Sequence, residues 1–421
     1  MKLLWITNTI FPAPCKALNL PNPVYGGWMY GLAKKIGAIP GIRLSIATIY
    51  KGDVLRKIEI EDITYYLIPS KSTTIYRKKL EGYWKTICND INPEIIHIHG
   101  TEYTHGLACM NSCPNMNYVI SIQGMVSVYA RYYYANINTL DILLNLTLRD
   151  VYRFDSIFQG KRKFEKRGQF EKEYLLKSKH VVGRTNWDFA HTKAINPSLN
   201  YHFCNEILRD FFYIASKWNI RSKVSHTIFL SQGSLPIKGL HLVLKSIFML
   251  RDEFPNIKLR IAGTDIVKRD NLIDKFKLSG YGSYLISLIN KYKIEENVHF
   301  IGTLFEEQIV REYQNAHIFI CPSSIENSPN SLGEAQIIGV PTIASYVGGV
   351  PDMITHQIDG LLYRFDDAEM LTQLIRDVFL DDVLATSLSL NGIISSTKRH
   401  DSQINIAETY KIYKKISNQV E

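Results

Sequence analysis

The chain has 421 residues, of which 46% are hydrophobic and 21% charged, and its formal net charge is +9. This composition is ordinary for a soluble globular protein of two or three domains. It contains no run of about 18 apolar residues, and its apolar start is too short for a signal peptide, so we expect neither a spanning helix nor a leader. The six cysteines are scattered, which favours a cytoplasmic protein with reduced thiols.

The positive charge lies in the first half of the chain. Residues 1–200 carry 26 Lys and Arg against 15 Asp and Glu, whereas residues 201–421 carry 23 against 25. The densest basic cluster spans residues 161–167. Nucleic acid and an anionic membrane surface are two partners that such an excess suits, and a solvated helix face is the third interpretation left open.

Strand and helix patterns alternate along the first half, which predicts α/β layers with a parallel sheet. The predicted strands are 3–9, 43–50, 63–69, 95–99, 118–123, 181–182 and 201–204, and residues 76–91 have helical spacing. Together they predict one doubly wound domain over residues 1–205. The irregular, aromatic segment 205–225 is the predicted joint.

A second series of alternating elements follows. The predicted strands are 227–231, 258–262, 299–301, 318–322 and 342–346, and the predicted helices are 239–254, 284–292 and 306–316. They predict a second Rossmann-like domain over residues 206–400. Within the last segment, 401–421, residues 403–417 are a further helix candidate. Ligands of open α/β sheets bind outside the carboxyl ends of the strands, so we expect the site in the cleft between the two domains.

The segment after predicted strand 318–322 is the most informative part of the chain. Ser328 followed by Pro329 predicts a helix start, with the serine as N-cap and the proline at the first helical position. The amides of Asn330, Ser331 and Leu332 would then lack intrahelical partners and form an anion site.

Two carboxylates flank this predicted anion site. Glu326 lies in the loop, and Glu334 follows eight residues later in the helix. Carboxylate oxygens accept hydrogen bonds from sugar hydroxyls, and a nucleotide sugar has both a diphosphate and hydroxyl-rich rings. The alternative is an ordinary βαβ unit with a capped helix and two solvated glutamates.

The Glu-x7-Glu spacing resembles the motif of retaining glycosyltransferases of family 4, which have the GT-B fold. The resemblance continues through residues 339–344 and 348–352 and covers roughly the last 200 residues. It implies two Rossmann-like domains that face each other across a cleft, with the donor held by the second domain. It also implies that the final helix crosses back onto the first domain, that Glu334 binds the ribose hydroxyls, and that Glu326 contacts the donor hexose.

A lysine follows the first strand of the second domain. Lys238 precedes Gly239, which opens a predicted helix, and a cation there can neutralise the charge that develops on a departing diphosphate. The family usually has an arginine a few residues earlier, and here that place is Gly233. We take Lys238 and Glu326 as catalytic candidates and Gly233 as a donor-binding candidate. An ordinary surface lysine is the alternative.

The first domain carries its own glycine pair. Residues 23–28 lie between the first predicted strand and a helix, where glycines let the backbone approach a ligand. The stretch resembles the Gly-Gly loop of family 4 enzymes, so Gly26 and Gly27 are donor-binding candidates. A simple turn is the alternative.

Three polar side chains of the first domain are candidates for contact with the acceptor or the sugar. His99 and Gln123 end two predicted strands, and Gln123 stands where the family often has a histidine; Arg184 follows a third strand and could bind an acceptor phosphate. A buried core histidine and a structural ion pair are the alternatives for His99 and Arg184.

Residues 125–179 form an aromatic, apolar and basic insertion in the first domain. It includes the tyrosine-rich run 129–134, the apolar run 140–148 and the basic cluster 161–167. This composition suits the interface of an anionic bilayer, which we favour over single-stranded RNA. A buried helix pair remains equally open. We expect the first domain to dock on the membrane through this insertion.

The sequence thus predicts a hexosyltransferase that moves a sugar, with retention, from a nucleotide diphosphate donor to a glycan or lipid-linked acceptor in bacterial-type surface polysaccharide assembly. No Asp-x-Asp occurs, so we expect no metal or other cofactor, and no nucleic acid partner. The expected location is cytoplasmic, peripheral on the inner face of the membrane. The departures at Gly233 and Gln123 leave open a non-catalytic sugar-binding subunit. A nucleotide-sugar epimerase or hydrolase of the same fold is the other alternative.

Overall fold

The computed structural model describes residues 1–21 and 26–418. Their contacts divide the chain into two compact units. The first comprises Met1–Ser127, Glu165–Asp210 and the chain from His400 onward, and the second comprises Val128–Phe164 and Phe211–Arg399. Each unit is therefore built from segments that are separated in sequence.

The first unit is built on a mixed sheet. Among the described residues its strands are β1 (Lys2–Ile6), β2 (Arg43–Tyr50), β3 (Arg56–Ile60), β4 (Ile63–Pro69), β5 (Ile95–His99), β6 (Tyr118–Ser121), β7 (His180–Gly183) and β8 (Asn200–Phe203). Their order is β3-β4-β2-β1-β5-β6-β7-β8. Neighbours are parallel except β3 and β4, which form an antiparallel pair. The order reverses direction between β1 and β5, which makes their carboxyl ends the switch point of this sheet.

Helices cover this sheet and explain why its central strands are almost wholly apolar. The helices of the first unit are Pro12–Ala17, Gly27–Gly37, Lys79–Ile91, His105–Ser112, Asn186–Ile195 and Ser402–Ser417. The core under one face joins Trp5 of β1 to Ile36 and to Ile412 and Tyr413 of the final helix. That helix thus belongs to the first unit although it follows the second in sequence.

The second unit is built on a parallel sheet. Its described strands are β9 (Thr227–Leu230), β10 (Lys258–Ile261), β11 (Val298–Phe300), β12 (Ile318–Cys321), β13 (Thr342–Ser345) and β14 (Leu361–Tyr363). Their order is β11-β10-β9-β12-β13-β14, and every pair is parallel. The order reverses between β9 and β12, so these two strands define a second switch point.

Helices of the second unit come from both of its segments. They are Thr139–Leu144, Leu148–Arg153, Leu240–Leu250, Leu272–Lys277, Gly280–Tyr292, Glu306–Asn315, Asn330–Ile338, Ala368–Leu380 and Asp382–Arg399, with a 3-10 turn at Pro236–Lys238. Three helices, Val126–Tyr129, Ile157–Lys177 and Asp210–Ile214, run across the division between the units.

The division by contacts differs from the predicted domains in the placement of residues 128–164. The sequence analysis put them in the first domain, whereas they pack with the second unit. His241 Nε2 lies 2.7 Å from the Ala135 carbonyl oxygen, and Ser324 Oγ donates to the Tyr132 carbonyl at 2.9 Å. Thr147 Oγ1 donates to the Leu278 carbonyl at 2.9 Å. These contacts are remote in sequence, so periodicity could not indicate them.

No single helix in the described part of the chain is both long and apolar enough to cross a membrane. One strongly bent combination, Ala368–Leu380 with Asp382–Ser417, meets the criterion on length and composition taken together.

Candidate functional site

In the second unit, the candidate residues follow the two strands of the switch point. Lys238 comes after β9, and Glu326 comes after β12. The loops after these strands are joined by the Ser324 amide, which donates to the Ile237 carbonyl at 2.9 Å. The carboxyl ends of neighbouring parallel strands meet at one edge of a sheet, which is why residues 88 positions apart come together.

Gly239 permits the close approach of these two loops. Its φ is +73°, in the left-handed region that favours glycine. A Cβ at this position would lie 2.0 Å from the Pro322 carbonyl oxygen. A side chain here would therefore force the loop that carries Lys238 away from the loop that carries Glu326.

Lys238 and Glu326 form an ion pair. Lys238 Nζ lies 2.5 Å from Glu326 Oε1, and Ser323 Oγ donates to the same oxygen at 2.8 Å. The Glu326 side chain is only 8% exposed and that of Lys238 is 19% exposed. A half-buried cation and a carboxylate thus stand side by side at the switch point, which is a suitable arrangement for a ligand with both phosphate and hydroxyl groups.

The helix after β12 begins later than the sequence predicts. It spans Asn330–Ile338, and its N-cap is Pro329, with no side-chain cap. Ser328 therefore does not cap it, and Pro329 precedes the first helical position instead of filling it. The Leu332 amide donates to the Pro329 carbonyl at 3.0 Å, which removes it from the predicted anion site.

The two remaining amides of the predicted anion site stay available. Within residues 1–21 and 26–418, the amides of Asn330 and Ser331 have no hydrogen-bond partner. The side-chain oxygen of Asn330 is also buried without a partner. Donors of this kind at a helix start attract an anion. Glu334 lies one turn further along the same helix and is 7% exposed.

The backbone around Glu326 is braced from two sides. Its carbonyl accepts the Gly349 amide at 3.0 Å, and a Cβ at Gly348 would lie 1.8 Å from that oxygen. The next amide, that of Asn327, donates to the Tyr129 hydroxyl at 2.9 Å. The predicted insertion therefore supports the loop that carries the candidate catalytic carboxylate, a role that the sequence did not indicate.

Gly233 is packed against the interior of the second unit. A Cβ there would lie 2.8 Å from Leu240 Cδ2 and 3.2 Å from Ile261 Cγ2. An arginine at this position could not be accommodated without displacing these side chains. The glycine is thus consistent with local packing.

The first unit places a carboxylate at its own switch point. Glu102 follows β5, and its Oε1 accepts the Gly124 amide at 3.2 Å. Asn8, which follows β1, donates from Nδ2 to the His99 carbonyl at 3.0 Å and lies 3.4 Å from Glu102 Oε2. Burial, with a contribution from the Glu171 carboxylate, raises the pKa of Glu102 to about 7. The sequence analysis missed this residue, although its position three residues beyond the end of β5 at His99 was an available signal.

His99 lies inside the first unit. Its side chain is 1% exposed, and its ring stacks on that of His97 at a centroid distance of 3.9 Å. Burial lowers the pKa of His97 to about 3 and that of His99 well below its usual value. His97 bonds to Tyr413 and Ser121, at 2.5 and 2.7 Å. These contacts favour the core alternative for His99.

A small cavity of about 30 Å³ adjoins the two histidines, with room for a water molecule. Arg184 also lines it, and forms a buried ion pair with Glu206 at 2.5 Å. Arg184 Nη2 donates to the Ile122 carbonyl at 2.5 Å. This arrangement favours the structural alternative for Arg184.

The remaining first-domain candidates lie nearer the surface. Gln123 is partly buried and its amide contacts Met29 Sδ at 3.7 Å. Gly26 has φ +84° and is the N-cap of helix Gly27–Gly37. The preceding part of the predicted loop, residues 23–25, lies outside the described residues.

Comparison with known proteins agrees with this geometry. Residues 214–394, which include the Lys238–Glu326 pair, match the family model described as glycosyl transferases group 1. A glycosyltransferase of amylovoran biosynthesis from Erwinia amylovora is 28% identical over 147 residues, which are 32% of this chain and 36% of that relative. Residues 214–394 are thus similar to the group 1 glycosyltransferases, and the chain spans about a third of the length of this curated relative.

Solved structures show that the chain has the GT-B fold. A sucrose-phosphate synthase from Thermosynechococcus elongatus superposes with a TM-score of 0.74 at 16% identity, over 99% of both chains. HepE from Anabaena, solved in complex with UDP and glucose, gives a TM-score of 0.65 at 12% identity, over 98% of this chain and 99% of that chain. The predicted fold class is confirmed.

The described part of the chain contains no group of three or more His, Cys, Asp or Glu side chains arranged to hold a metal ion. The polar groups at the two switch points are cationic, carboxylate and amide groups, and these suit an organic ligand with phosphates and hydroxyls.

The stability of this protein should depend on pH through Glu102. The folded carboxyl holds its proton up to about pH 7, whereas its ordinary pKa is 4.5. The folded state therefore binds more protons between these values, and stability falls as pH rises through them. Glu102→Gln cannot titrate, so we expect it to gain about 3 kcal/mol relative to the native chain between pH 4.5 and 8.

Urea unfolding of both proteins across this pH range measures the effect. Glu59→Gln, on the exposed edge strand β3, is the control and should leave the profile unchanged. Parallel profiles for the native chain and Glu102→Gln would contradict the prediction.

Proposed function

We propose that this protein is a retaining glycosyltransferase that transfers a hexose-type sugar from a nucleotide diphosphate sugar to a glycan or lipid-linked acceptor. The observation that carries the proposal is the Lys238–Glu326 pair at the switch point of the second sheet, 2.5 Å apart. The structural neighbour solved with UDP and glucose supports the choice of donor class. The Erwinia relative of amylovoran biosynthesis supports a role in surface polysaccharide assembly.

Each part of the donor has a proposed contact. The amides of Asn330 and Ser331 and the ammonium of Lys238 hold the diphosphate, because all are donors near one sheet edge. Glu334 accepts the ribose hydroxyls. Glu326 contacts the hexose near the reacting carbon, which requires its bond to Lys238 to be shared with the ligand. The developing charge on the leaving diphosphate is then neutralised by Lys238.

The acceptor and the surroundings of the enzyme complete the proposal. The acceptor is a saccharide or a lipid-linked saccharide, and the enzyme works at the cytoplasmic face of an anionic membrane. Transfer needs no metal ion, since Lys238 and the helix-start amides supply the positive potential. Among first-unit residues, Glu102 and Gln123 are the proposed polar contacts to the acceptor, because both follow the central strands of that unit.

Glu334→Ala should weaken donor binding while the fold remains intact. Each hydrogen bond to a charged carboxylate contributes about 1.5–3 kcal/mol, so we expect a loss of about tenfold to a hundredfold in affinity for the nucleoside diphosphate. Calorimetry with UDP, GDP and ADP, in the presence of EDTA, identifies the base and measures the loss. Glu307→Ala, an exposed glutamate on helix Glu306–Asn315, is the matched control.

Three results would redirect the proposal. Unchanged nucleotide affinity in folded Glu334→Ala would remove the ribose role. Donor conversion to free or epimerised sugar, equal with and without saccharide acceptors, would favour the epimerase or hydrolase alternative. Absence of any nucleotide-sugar binding by the native chain would favour a non-catalytic subunit.

A further inference from the structure

Exposed apolar side chains are concentrated on one part of the second unit. Of 31 large apolar side chains that are exposed among the described residues, eleven lie in two short segments, 140–154 and 272–276, and are between 42% and 86% exposed. They are Leu140, Leu143, Leu144, Leu146, Leu148, Val151, Tyr152, Phe154, Leu272, Ile273 and Phe276. Single exposed apolar residues are ordinary on protein surfaces, whereas a concentration of this kind marks an interaction site.

The two segments are joined into one surface. Helices Leu148–Arg153 and Leu272–Lys277 contact each other. Thr147 Oγ1 donates to the Leu278 carbonyl at 2.9 Å, and Ser283 Oγ donates to Asn145 Oδ1 at 3.2 Å. These two hydrogen bonds therefore link the two segments. We call the eleven apolar side chains, together with the exposed basic residues Arg153, Lys275 and Lys277, the docking surface.

Helix Leu148–Arg153 has its polar and apolar sides reversed. Asp150 is 1% exposed and accepts the Thr147 amide in a capping box, whereas Leu148 and Tyr152 of the same helix are 78% and 86% exposed. A surface helix in water turns its carboxylates outward and its apolar residues inward. This orientation is favourable only if the outer side meets an apolar phase.

Basic residues surround the apolar side chains. Residues 128–164 contain six Lys or Arg against three Asp, and residues 267–277 contain four against two. Within the described ranges, Arg153, Lys275 and Lys277 are exposed and have no carboxylate partner. Apolar side chains flanked by unpaired cations are the combination that binds an anionic lipid surface.

We propose that the docking surface inserts its apolar side chains into an anionic lipid bilayer, with its basic residues at the headgroups. It goes beyond the proposed function, because it assigns the contact to helices Thr139–Leu144, Leu148–Arg153 and Leu272–Lys277 of the second unit. In the proposed contact, the main source of membrane affinity is the insertion of apolar side chains, and charge attraction adds to it.

The basic cluster predicted from sequence contributes less to this contact. Lys163 pairs with Asp155 at 2.8 Å, and Arg167 Nε donates to the Glu102 carbonyl at 2.8 Å. Lys161 lies over the Tyr134 ring at 4.8 Å. These three cations already have partners within the protein, whereas among the described residues Arg153, Lys275 and Lys277 have no carboxylate partner.

Vesicle flotation of the full chain tests the proposal. The native protein should float with phosphatidylcholine vesicles that contain phosphatidylglycerol, and more weakly without it. A triple variant, Leu148→Ser with Tyr152→Ser and Phe276→Ser, should bind at least about 100-fold more weakly. The reason is that three apolar side chains are no longer transferred from water into the bilayer. The control carries Val383→Ser, Leu390→Ser and Ile394→Ser, which are exposed on helix Asp382–Arg399, and should float like the native chain.

A second variant tests the charges. Arg153→Glu with Lys275→Glu and Lys277→Glu should lose the preference for phosphatidylglycerol and retain only the weaker binding seen with neutral vesicles. Equal flotation of the serine variant and the native protein would overturn the proposal, as would failure of the native protein to float with either vesicle.

Sedimentation without lipid identifies the competing occupant. A native dimer that dissociates in the serine variant would overturn the proposal in favour of a second copy of this chain. Donor turnover on a soluble acceptor, measured without vesicles, should be the same in the serine variant and the native protein. Absence of turnover in the native protein would count against the proposed function. The membrane contact of the docking surface would still be tested by flotation.

Discussion

Lys238→Ala is expected to lower turnover about 100- to 1000-fold while raising the donor KM much less. The ammonium lies 2.5 Å from Glu326 at the switch point, where the charge of the leaving diphosphate develops. A fixed cation in a partly water-excluded site stabilises this charge mainly in the transition state, so its loss affects kcat more than donor binding. Steady-state kinetics with the identified donor measures both constants.

The same substitution should also reduce stability, because it leaves the Glu326 carboxylate, 8% exposed, without its cationic partner. We expect a loss of about 2–3 kcal/mol in the free energy of unfolding. Adding Glu326→Gln should restore part of this stability without restoring turnover. Lys245→Ala is the control, since Lys245 pairs with Glu369 at the same 2.5 Å but both side chains are exposed; it should cost less than about 1 kcal/mol.

Native turnover with weaker donor binding in Lys238→Ala would contradict the catalytic role.

Gly239→Ala is expected to destabilise the second unit by about 2–5 kcal/mol and to abolish most activity. Two costs add: a side chain in the left-handed region, about 1–2 kcal/mol, and a steric clash, about 1–3 kcal/mol. The clash arises because the new Cβ would lie 2.0 Å from the Pro322 carbonyl oxygen. Urea unfolding and donor turnover measure the two effects.

Gly302→Ala separates these two costs. Gly302 has φ +76°, close to the +73° of Gly239, and a Cβ there has nothing within 4 Å. It should therefore lose only the conformational share, about 1–2 kcal/mol, and keep its activity. If both variants lost the same stability, the close approach of the loops after β9 and β12 would not be important.

Several parts of the fold were predictable because they depend on local pattern. Strand Ile95–His99 has the predicted bounds, and helix Glu306–Asn315 differs by one residue. The antiparallel strand Arg56–Ile60 was missed, because its polar, exposed sequence lacks the apolar run of a central strand. Its partner, Ile63–Pro69, is buried and was predicted.

The sequence indicated candidate site residues but not their arrangement in space. Lys238 and Glu326 were both identified as candidates, but their direct contact depends on the reversal of strand order between β9 and β12, which no local pattern contains. Glu102 was missed because its raised pKa results from burial beside another carboxylate, Glu171. The position of Glu102 at a switch point becomes evident only when β1 and β5 are known to be neighbours in the sheet.

The interleaving of the two units has a consequence for synthesis of the chain. The core of the first unit includes Ile412 and Tyr413, so this unit cannot be completed until these residues have left the ribosome. The second unit, in turn, needs residues 128–164 from the middle of the first half. Neither unit can therefore be produced as a continuous fragment. The N-terminal strands are synthesised first, and part of their apolar surface stays uncovered until helix Ser402–Ser417 has been made. Such a dependence on contacts distant in sequence slows folding and lengthens the time during which apolar surface is exposed to aggregation and to chaperones.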